Sequence, residues 1–455
     1  MSKRLLGFAL ALLFVLAAHA ADTRPRLVVL TDIGGDPDDQ QSLIRLLIYS
    51  NNLDIDGLIA SAAGTPGELK EKVTKPELIR ELVEAYGQVR PNLVQHAKGY
   101  PPVDELLSVI KSGNPVRGLA GIGEGKDTEG SNWIISMADQ NDPRLLNIAI
   151  WGGQTDFAQA LWRVRNDRSE EDLQKFIRKL RIYDINDQDK IVDWIWKEFP
   201  TLWYILAKAP DGKDKRLGTY RGMYLGGDLK LTSADWINAH IKQHHGPLGA
   251  LYPMKTFTDP NPYKTMKEGD SPSWLYFLAN GLNDAANPSW GGWGGRYAVL
   301  RDHLYRDALD TVDGVTEARA SVWRWRLAFQ NDFAARMDWC VKPFADANHK
   351  PKATINNLEG IGPIRLTASP GTFLKLDASG SSDPDNDKLT FNWWFYSEAS
   401  SVIPTCKLDA ALTARPTLHI PKDATAGDWH IILEVTDDGD PALTSYRRVI
   451  VTIKP

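Results

Sequence analysis

The chain has 455 residues, of which 43% are hydrophobic and 24% charged, and a formal net charge of −5. That balance belongs to a globular protein with room for two or three domains, and it excludes a disordered or fibrous chain. A negative surface gives no electrostatic reason to bind nucleic acid, whose affinity rests on Lys and Arg neutralising phosphates.

Lys3 and Arg4 precede an apolar run from Leu5 to Ala18, which ends in Ala18-His19-Ala20. A basic start, a short greasy stretch and a small-residue end predict a secretory signal peptide over residues 1–20, cleaved after Ala20. The run is too short to span a bilayer. The mature chain is therefore expected to be secreted or periplasmic and free of the membrane. Loss of Lys3 and Arg4 takes the net charge from −5 to −7.

From residue 21 to 345 the pattern predicts one α/β domain. Buried strands are expected at 26–31 (RLVVLT), 54–61, 146–151 and 180–185. Between them, apolar residues recur at three- and four-residue steps over 38–50, 75–88, 155–166 and 189–198, which predicts helices. Such alternation implies a doubly wound, mostly parallel sheet, with ligands outside the carboxyl ends of its strands. Residues 301–345, rich in Arg and Trp, read as helical. From 352 to 455 the texture changes to alternating runs such as WHIILEV (429–435) and YRRVIVTI (446–453) between Asp/Gly/Pro turns. These predict a small antiparallel β-sandwich, appended as a module. Cys340 and Cys406 are too few for a disulfide framework or a zinc site. A single bridge tying the two domains and two free thiols both fit the sequence.

The most informative stretch is Thr31-Asp32-Ile33-Gly34-Gly35-Asp36-Pro37-Asp38-Asp39. A buried strand runs into a glycine turn, and four carboxylates follow within eight residues. Acids in a first helical turn are favourable without any ligand, which accounts for two of the four. It does not account for Asp32 at the carboxyl end of the strand. Converging carboxylates repel unless a cation or protons intervene, and hard oxygen ligands in that number point to calcium, with magnesium second. Other motifs fail on spacing. A haloacid-dehalogenase motif needs Asp where Gly34 stands. A phosphate loop over Gly121–Lys126 needs glycine at Ala120 and Ser or Thr at Asp127. The run from Asp383 to Asp387 lacks the glycine and glutamate of an EF-hand.

The acid stretch resembles the opening motif of the nucleoside hydrolases, in which acids hold calcium and activate water against an anomeric carbon. Asp32 matches the first acid, and Asp38 and Asp39 match the closing pair. The segment 150–156 resembles the family's turn whose backbone carbonyl completes the metal shell, a position held here by Trp151. Glu268-Gly269-Asp270-Ser271-Pro272 resembles the late motif that supplies another calcium ligand, here Asp270. The whole chain is similar to a secreted subgroup described as nucleoside-hydrolase-like and cellulose-binding-type, through 31–43, 123–131, 244–253, 268–273 and 281–297. Its tail over 377–395 resembles a PKD-type sandwich. Three departures count against nucleoside specificity, the first being that the asparagine with which the family grips ribose, after the second strand, is replaced near Thr65. The family's middle acid, its general base, is Gly34 here, and its late histidine is Gly269.

The resemblance implies a calcium ion held by Asp32, Asp39, Asp270 and the Trp151 carbonyl, with Asp38 or Asp36 as the base. Glu124, which falls where the family has a histidine, is expected at substrate hydroxyls with Asp127 and Ser131. Asp187, in a loop after the 180–185 strand, either joins them or caps the next helix. His245 is a candidate acid. Trp is abundant, at 16 residues. Trp290 and Trp293, with Asn283 in the same glycine-rich stretch, are expected to expose flat faces on which sugars stack. The reading with most support is a calcium-dependent hydrolase of a carbohydrate glycosidic bond. A non-catalytic polysaccharide-binding protein and an extracytoplasmic nucleosidase are the alternatives. The sequence leaves the sugar and the oligomeric state open.

Overall fold

The computed structural model describes residues 24–65, 67–257, 265–404 and 406–454; the expected leader lies outside the described residues. Eight strands form one sheet: β1 (Arg26–Thr31), β2 (Asp54–Ala60), β3 (Ile110–Ser112), β4 (Leu146–Ile150), β5 (Leu180–Ile185), β6 (Trp203–Ala207), β7 (Tyr297–Arg301) and β8 (Leu304–Asp307). Their order is β3-β2-β1-β4-β5-β6-β8-β7, and every pairing is parallel except β7 with β8.

The central strand shows why its sequence is continuously apolar. Leu27 and Val29 pack into a core with Ile44 and Tyr86, from the helices Asp38–Ile48 and Pro76–His96. Val28 and Leu30 pack on the other face with Ile134 and Phe157, from Glu129–Asp139 and Gln154–Asp167. A strand covered on both faces has no solvent side on which to carry polar residues. The chain reverses its order between β1 and β4, so a crevice opens beyond their carboxyl ends. Asp32 and Trp151 are the residues that follow those two ends.

The stretch expected to be helical from 301 onward is only partly so. Residues 297–307 form the β7–β8 pair, and β9 (Asp310–Val312) and β10 (Val315–Glu317) make a separate hairpin. Helix begins only at Ala320–Trp323 and Arg326–Trp339. The reason is local. Asp313 and Gly314 have φ of +50° and +79°, the left-handed pair that a tight hairpin turn needs and that Asp-Gly supplies.

The C-terminal unit has two sheets. One is β11 (Ile364–Ala368), β13 (Thr390–Phe395), β16 (Gly427–Thr436) and β17 (Thr444–Ile453), in the order β11-β17-β16-β13. The other, β12 (Phe373–Lys375), β14 (Leu408–Asp409) and β15 (Thr417–His419), runs β12-β15-β14. It is a sandwich, but not a purely antiparallel one, because β11 lies parallel to β17. Its core holds Trp393, Trp429, Ile431, Leu433, Val449 and Val451.

The alternate residues of the same strands are also buried, against the first domain. Ile432, Tyr396 and Tyr446 belong to the α/β core. Arg448, 1% exposed, donates to the carbonyls of Trp290 and Gly291 at 2.9 and 3.1 Å and also reaches that of Leu282. His430 lies 2.9 Å from Arg448 Nη1 and edge-on to Trp290. Tyr396 donates to Asp310 at 2.6 Å, and Trp325 packs against Trp394 and Tyr446. The expected module is thus continuous with the first core. Cys340 and Cys406 are both free thiols. No helix among the described residues is long and apolar enough to cross a membrane.

Candidate functional site

At the carboxyl ends of β1 and β4 lies a cavity of about 100 Å³ lined by Asp32, Asp36, Asp38, Asp39 and Asp270. β1 delivers Asp32 at its end. The turn that follows has Gly34 at φ +111°, and a Cβ there would lie 2.6 Å from Lys75 Cδ. A side chain at 34 is therefore strained, which explains in physical terms why no acid occupies that position. Pro37 then starts the helix Asp38–Ile48, with Asp38 and Asp39 in its first turn. Asp270 arrives from the other side as the residue before the short helix Ser271–Leu275.

Asp38, Asp39 and Asp270 converge, with one oxygen from each within 4.8 Å of the others. Asp32, Asp39 and Asp270 are each 4% exposed. Burial holds the Asp39 and Asp270 carboxyls well above the ordinary carboxylate range, and their mutual repulsion and that of Asp32 and Asp38 add to it. Asp32 is pushed up to about 6 by burial, against the pull of Arg117. Asp38 is raised by burial, opposed by Lys267 and reinforced by Asp36. Thr31 Oγ1 donates to Asp39 Oδ1, whereas Asp270 Oδ2 is buried with no hydrogen-bond partner among the described residues. An orphaned carboxylate oxygen beside two more carboxylates is costly as it stands. It fits a hard dication, which Asp39 and Asp270 would hold, with a carboxylate oxygen of Asp38 within 4.8 Å of both.

Two cations that no motif announced also reach this cluster. Arg117 bridges Asp32 and Asp189, at 2.7 Å to each. Lys267 places its ammonium 2.6 Å from Asp36 and 2.8 Å from Asp38. Asp36 also accepts from the Phe257 backbone N–H at 2.9 Å, so both its oxygens are engaged. Asp36 is better placed to hold loop and lysine than to take a proton. Asp38, less buried, keeps an edge toward the cavity. Asp32 pairs with Arg117 and stands beside the converging three. The Trp151 carbonyl accepts from the Gln188 side-chain amide, and the Trp151 indole donates to Ser273 Oγ at 2.7 Å. One lone pair of that carbonyl is thus taken, and the second is what it could offer a metal.

The other expected substrate residues lie elsewhere. Glu124 and Asp127 pair with Arg163, at 3.4 and 2.6 Å, along a separate groove. Ser131 is buried in a capping box with Thr128. Asp187 Oδ1 accepts from the backbone N–H groups of Ile191 and Val192, the capping role. His245 is buried against Asp338 at 3.3 Å. Asn283 donates to the Tyr276 carbonyl. Trp290 and Trp293 are 8% and 1% exposed and fill the seam with the sandwich, so neither offers a free stacking face. The walls that do face the cavity come from Thr65, Glu68, Asn186, Gln188, Tyr220 and Arg221.

A doubly wound sheet with buried acids at its switch point defines a nucleoside hydrolase-like protein. The family described as "Cellulose-binding Sde182, nucleoside hydrolase-like domain" matches residues 26–297, and "Cellulose-binding protein Sde0182, C-terminal domain" matches 373–453. The chain belongs to this Sde182 nucleoside hydrolase-like family. A solved nucleoside hydrolase-related hypothetical protein from Saccharophagus degradans, described as associated with carbohydrate metabolism, is 36% identical to it. The match covers 95% of this chain and 100% of that one, with a TM-score of 0.79. The PKD domain from KIAA 1837 protein matches 20% of the chain and 83% of its own at 26% identity, with a TM-score of 0.16. No curated protein matches the chain in sequence.

Proposed function

We propose that this protein is a secreted or periplasmic, calcium-dependent hydrolase of a carbohydrate glycosidic bond. The observation that carries the reading is the convergence of Asp38, Asp39 and Asp270 at the switch point, with one buried oxygen of Asp270 unpartnered. The relatives' association with cellulose and with carbohydrate metabolism supports a sugar as the substrate. Bound calcium supplies positive charge that lowers the pKa of a water and orients it with a sugar diol. Asp39 and Asp270 would hold the ion, and Asp32, kept in place by Arg117, would add negative charge beside it. Asp38 accepts a proton from the attacking water as its oxygen bonds to the anomeric carbon, and the departing glycosidic oxygen takes a proton from solvent as its C–O bond breaks. Lys267 fixes Asp38 and Asp36 relative to each other. The carboxylates ringing the cavity favour a sugar that gains positive charge as its bond breaks.

One observation favours a second reading, a non-catalytic polysaccharide binder. The Lys267 ammonium already neutralises the candidate base at 2.8 Å. A single experiment separates the two. The mature chain is incubated with plant and algal polysaccharides, their oligosaccharides and nucleosides, in calcium or in chelator, and binding and reducing-sugar release are both measured. Calcium-dependent release supports the hydrolase. Tight binding with no release from any candidate overturns it in favour of the binder, and release of free base from nucleosides alone would make it a nucleosidase.

A further inference from the structure

Three cations reach the cleft, and they are not equivalent; Arg221 is the one that is buried. Arg117 and Lys267 each contact two carboxylates at 2.6–2.8 Å. Arg221 contacts none among the described residues. The residue is 8% exposed, yet the hydrogen-bond partners of its guanidinium are two phenols: Nε donates to Tyr220 Oη at 2.9 Å and Nη1 to Tyr224 Oη. Its Nη2 makes no hydrogen bond to a described residue, and the side chain lines the cavity. A desolvated guanidinium with no carboxylate at ion-pair distance is costly, since Asp38 acts on it only from farther off, and a chain that keeps one has a use for an anion there. Six acids line the same cavity, but Arg117 and Lys267 draw in Asp32, Asp36 and Asp38, Glu68 accepts from the Asp36 and Thr65 backbone N–H groups, and Asp39 and Asp270 face each other. Lys215, exposed and without an ion pair among the described residues, lines the same cavity from its rim.

We infer that the cleft takes a sugar bearing an anionic substituent, a uronate carboxylate or a sulfate ester, with Arg221 as its seat and Lys215 at the entrance. The inference rests on the carbohydrate reading above and sharpens its substrate class. The sugar's hydroxyls meet the acidic wall, and its negative group meets the open edge of Arg221, where a charge-assisted hydrogen bond replaces water. Arginine suits both groups because its planar fork matches carboxylate and sulfate oxygens. A neutral sugar leaves that guanidinium buried and unpaired, so the site discriminates by penalty as well as by attraction.

The test is calorimetric binding of one tetrasaccharide in three forms, neutral, oxidised to the uronate at C6, and sulfated at C6, in gluco, galacto and manno series. The full mature chain is used, in calcium. At least one anionic form should bind about ten- to a hundredfold more tightly than its neutral parent, the loss expected for one charged hydrogen bond. Arg221→Gln should remove that preference from both sides, weakening the anionic forms and tightening neutral binding as the unpaired-charge penalty disappears. Because Arg221 is buried, Lys215→Gln serves as a surface control, and it should weaken anionic binding a fewfold and flatten its salt dependence. Uronate and sulfate arms show which anion the site prefers. Equal binding of neutral and anionic forms, or a preference that survives both substitutions, overturns this inference alone. Anionic preference without cleavage leaves it standing and sinks the hydrolase. If no member of any series binds, the carbohydrate reading falls and this inference falls with it.

Discussion

Replacing Asp270 with asparagine should stabilise the protein without calcium and destabilise it with calcium. Asp270 Oδ2 has no hydrogen-bond partner among the described residues, and its carboxyl is raised by burial and by Asp38 and Asp32. Asp270→Asn removes that repulsion and supplies an amide donor that Asp38 or Asp39 can accept. Relieving one buried unsatisfied polar group contributes about 1–3 kcal/mol, so the chelated variant should exceed wild type by that order. With calcium at a hundred times its dissociation constant, wild type gains about 2.7 kcal/mol through linkage, and the variant should gain little. The two effects have opposite sign, so a variant advantage below about 2.7 kcal/mol in chelator is inverted by calcium at that concentration. Urea unfolding followed by tryptophan fluorescence, in chelator and in millimolar calcium, reads both. A variant less stable than wild type in chelator and equally stabilised by calcium would refute the reasoning, because Asp270 would then be neither strained nor a ligand.

Asp38→Asn should keep calcium and sugar binding while turnover falls about a hundred- to ten-thousandfold; Asp36→Asn should instead loosen Lys267 and cost less in rate, as steady-state kinetics on the same glycoside would show. Burial and the Arg448 and Arg365 charges lower the His430 pKa from 6.5 to about 3. Between those values the unfolded chain binds a proton that the folded chain refuses, so this contribution is complete above pH 6.5 and is lost as pH falls toward 3. The slope is at most about 1.4 kcal/mol per pH unit, and His430→Asn should remove it from the wild-type-minus-variant difference in urea titrations. A chain ended near residue 350 should aggregate or bind a hydrophobic dye, since it bares Trp293, Trp325 and the carbonyls that Arg448 caps; a monomeric, well-folded product by gel filtration would contradict this.

The parts of the site legible in the sequence are those that lie together in it. Asp32, Asp36, Asp38 and Asp39 follow one strand within eight residues, and strand-then-helix geometry alone brings them to one crevice. Asp270 needed the family resemblance, because nothing local marks an acid 230 residues away as their neighbour. Arg117, Lys267 and Arg221 carried no signal at all, since a lone basic residue in a loop reads as solvated surface. The tryptophans misled for a related reason. Glycines around Trp290 and Trp293 read as an open loop, whereas the sandwich covers that loop, and only long-range packing says so. The hairpin at 310–317 was signalled by Asp313-Gly314, but the Arg- and Trp-rich stretch after it suggested helix more loudly.

The sheet formed by β16 and β17 has no face left over for solvent, and this bears on how such a protein is inherited. Arg448 sits on a strand of one domain, and its donors reach backbone carbonyls of the other as well as His430. A sandwich of this kind cannot be spliced onto a foreign catalytic domain like a bead on a string. Transplanted, it would carry a desolvated guanidinium and bare aromatic rings, and the domain left behind would lose the cover on Trp293. Recombination at the linker near residue 350 therefore yields two damaged halves rather than two working modules. The pair should travel through lineages as a unit, with substitutions at Arg448 accompanied by changes in the 282–291 loop that receives it.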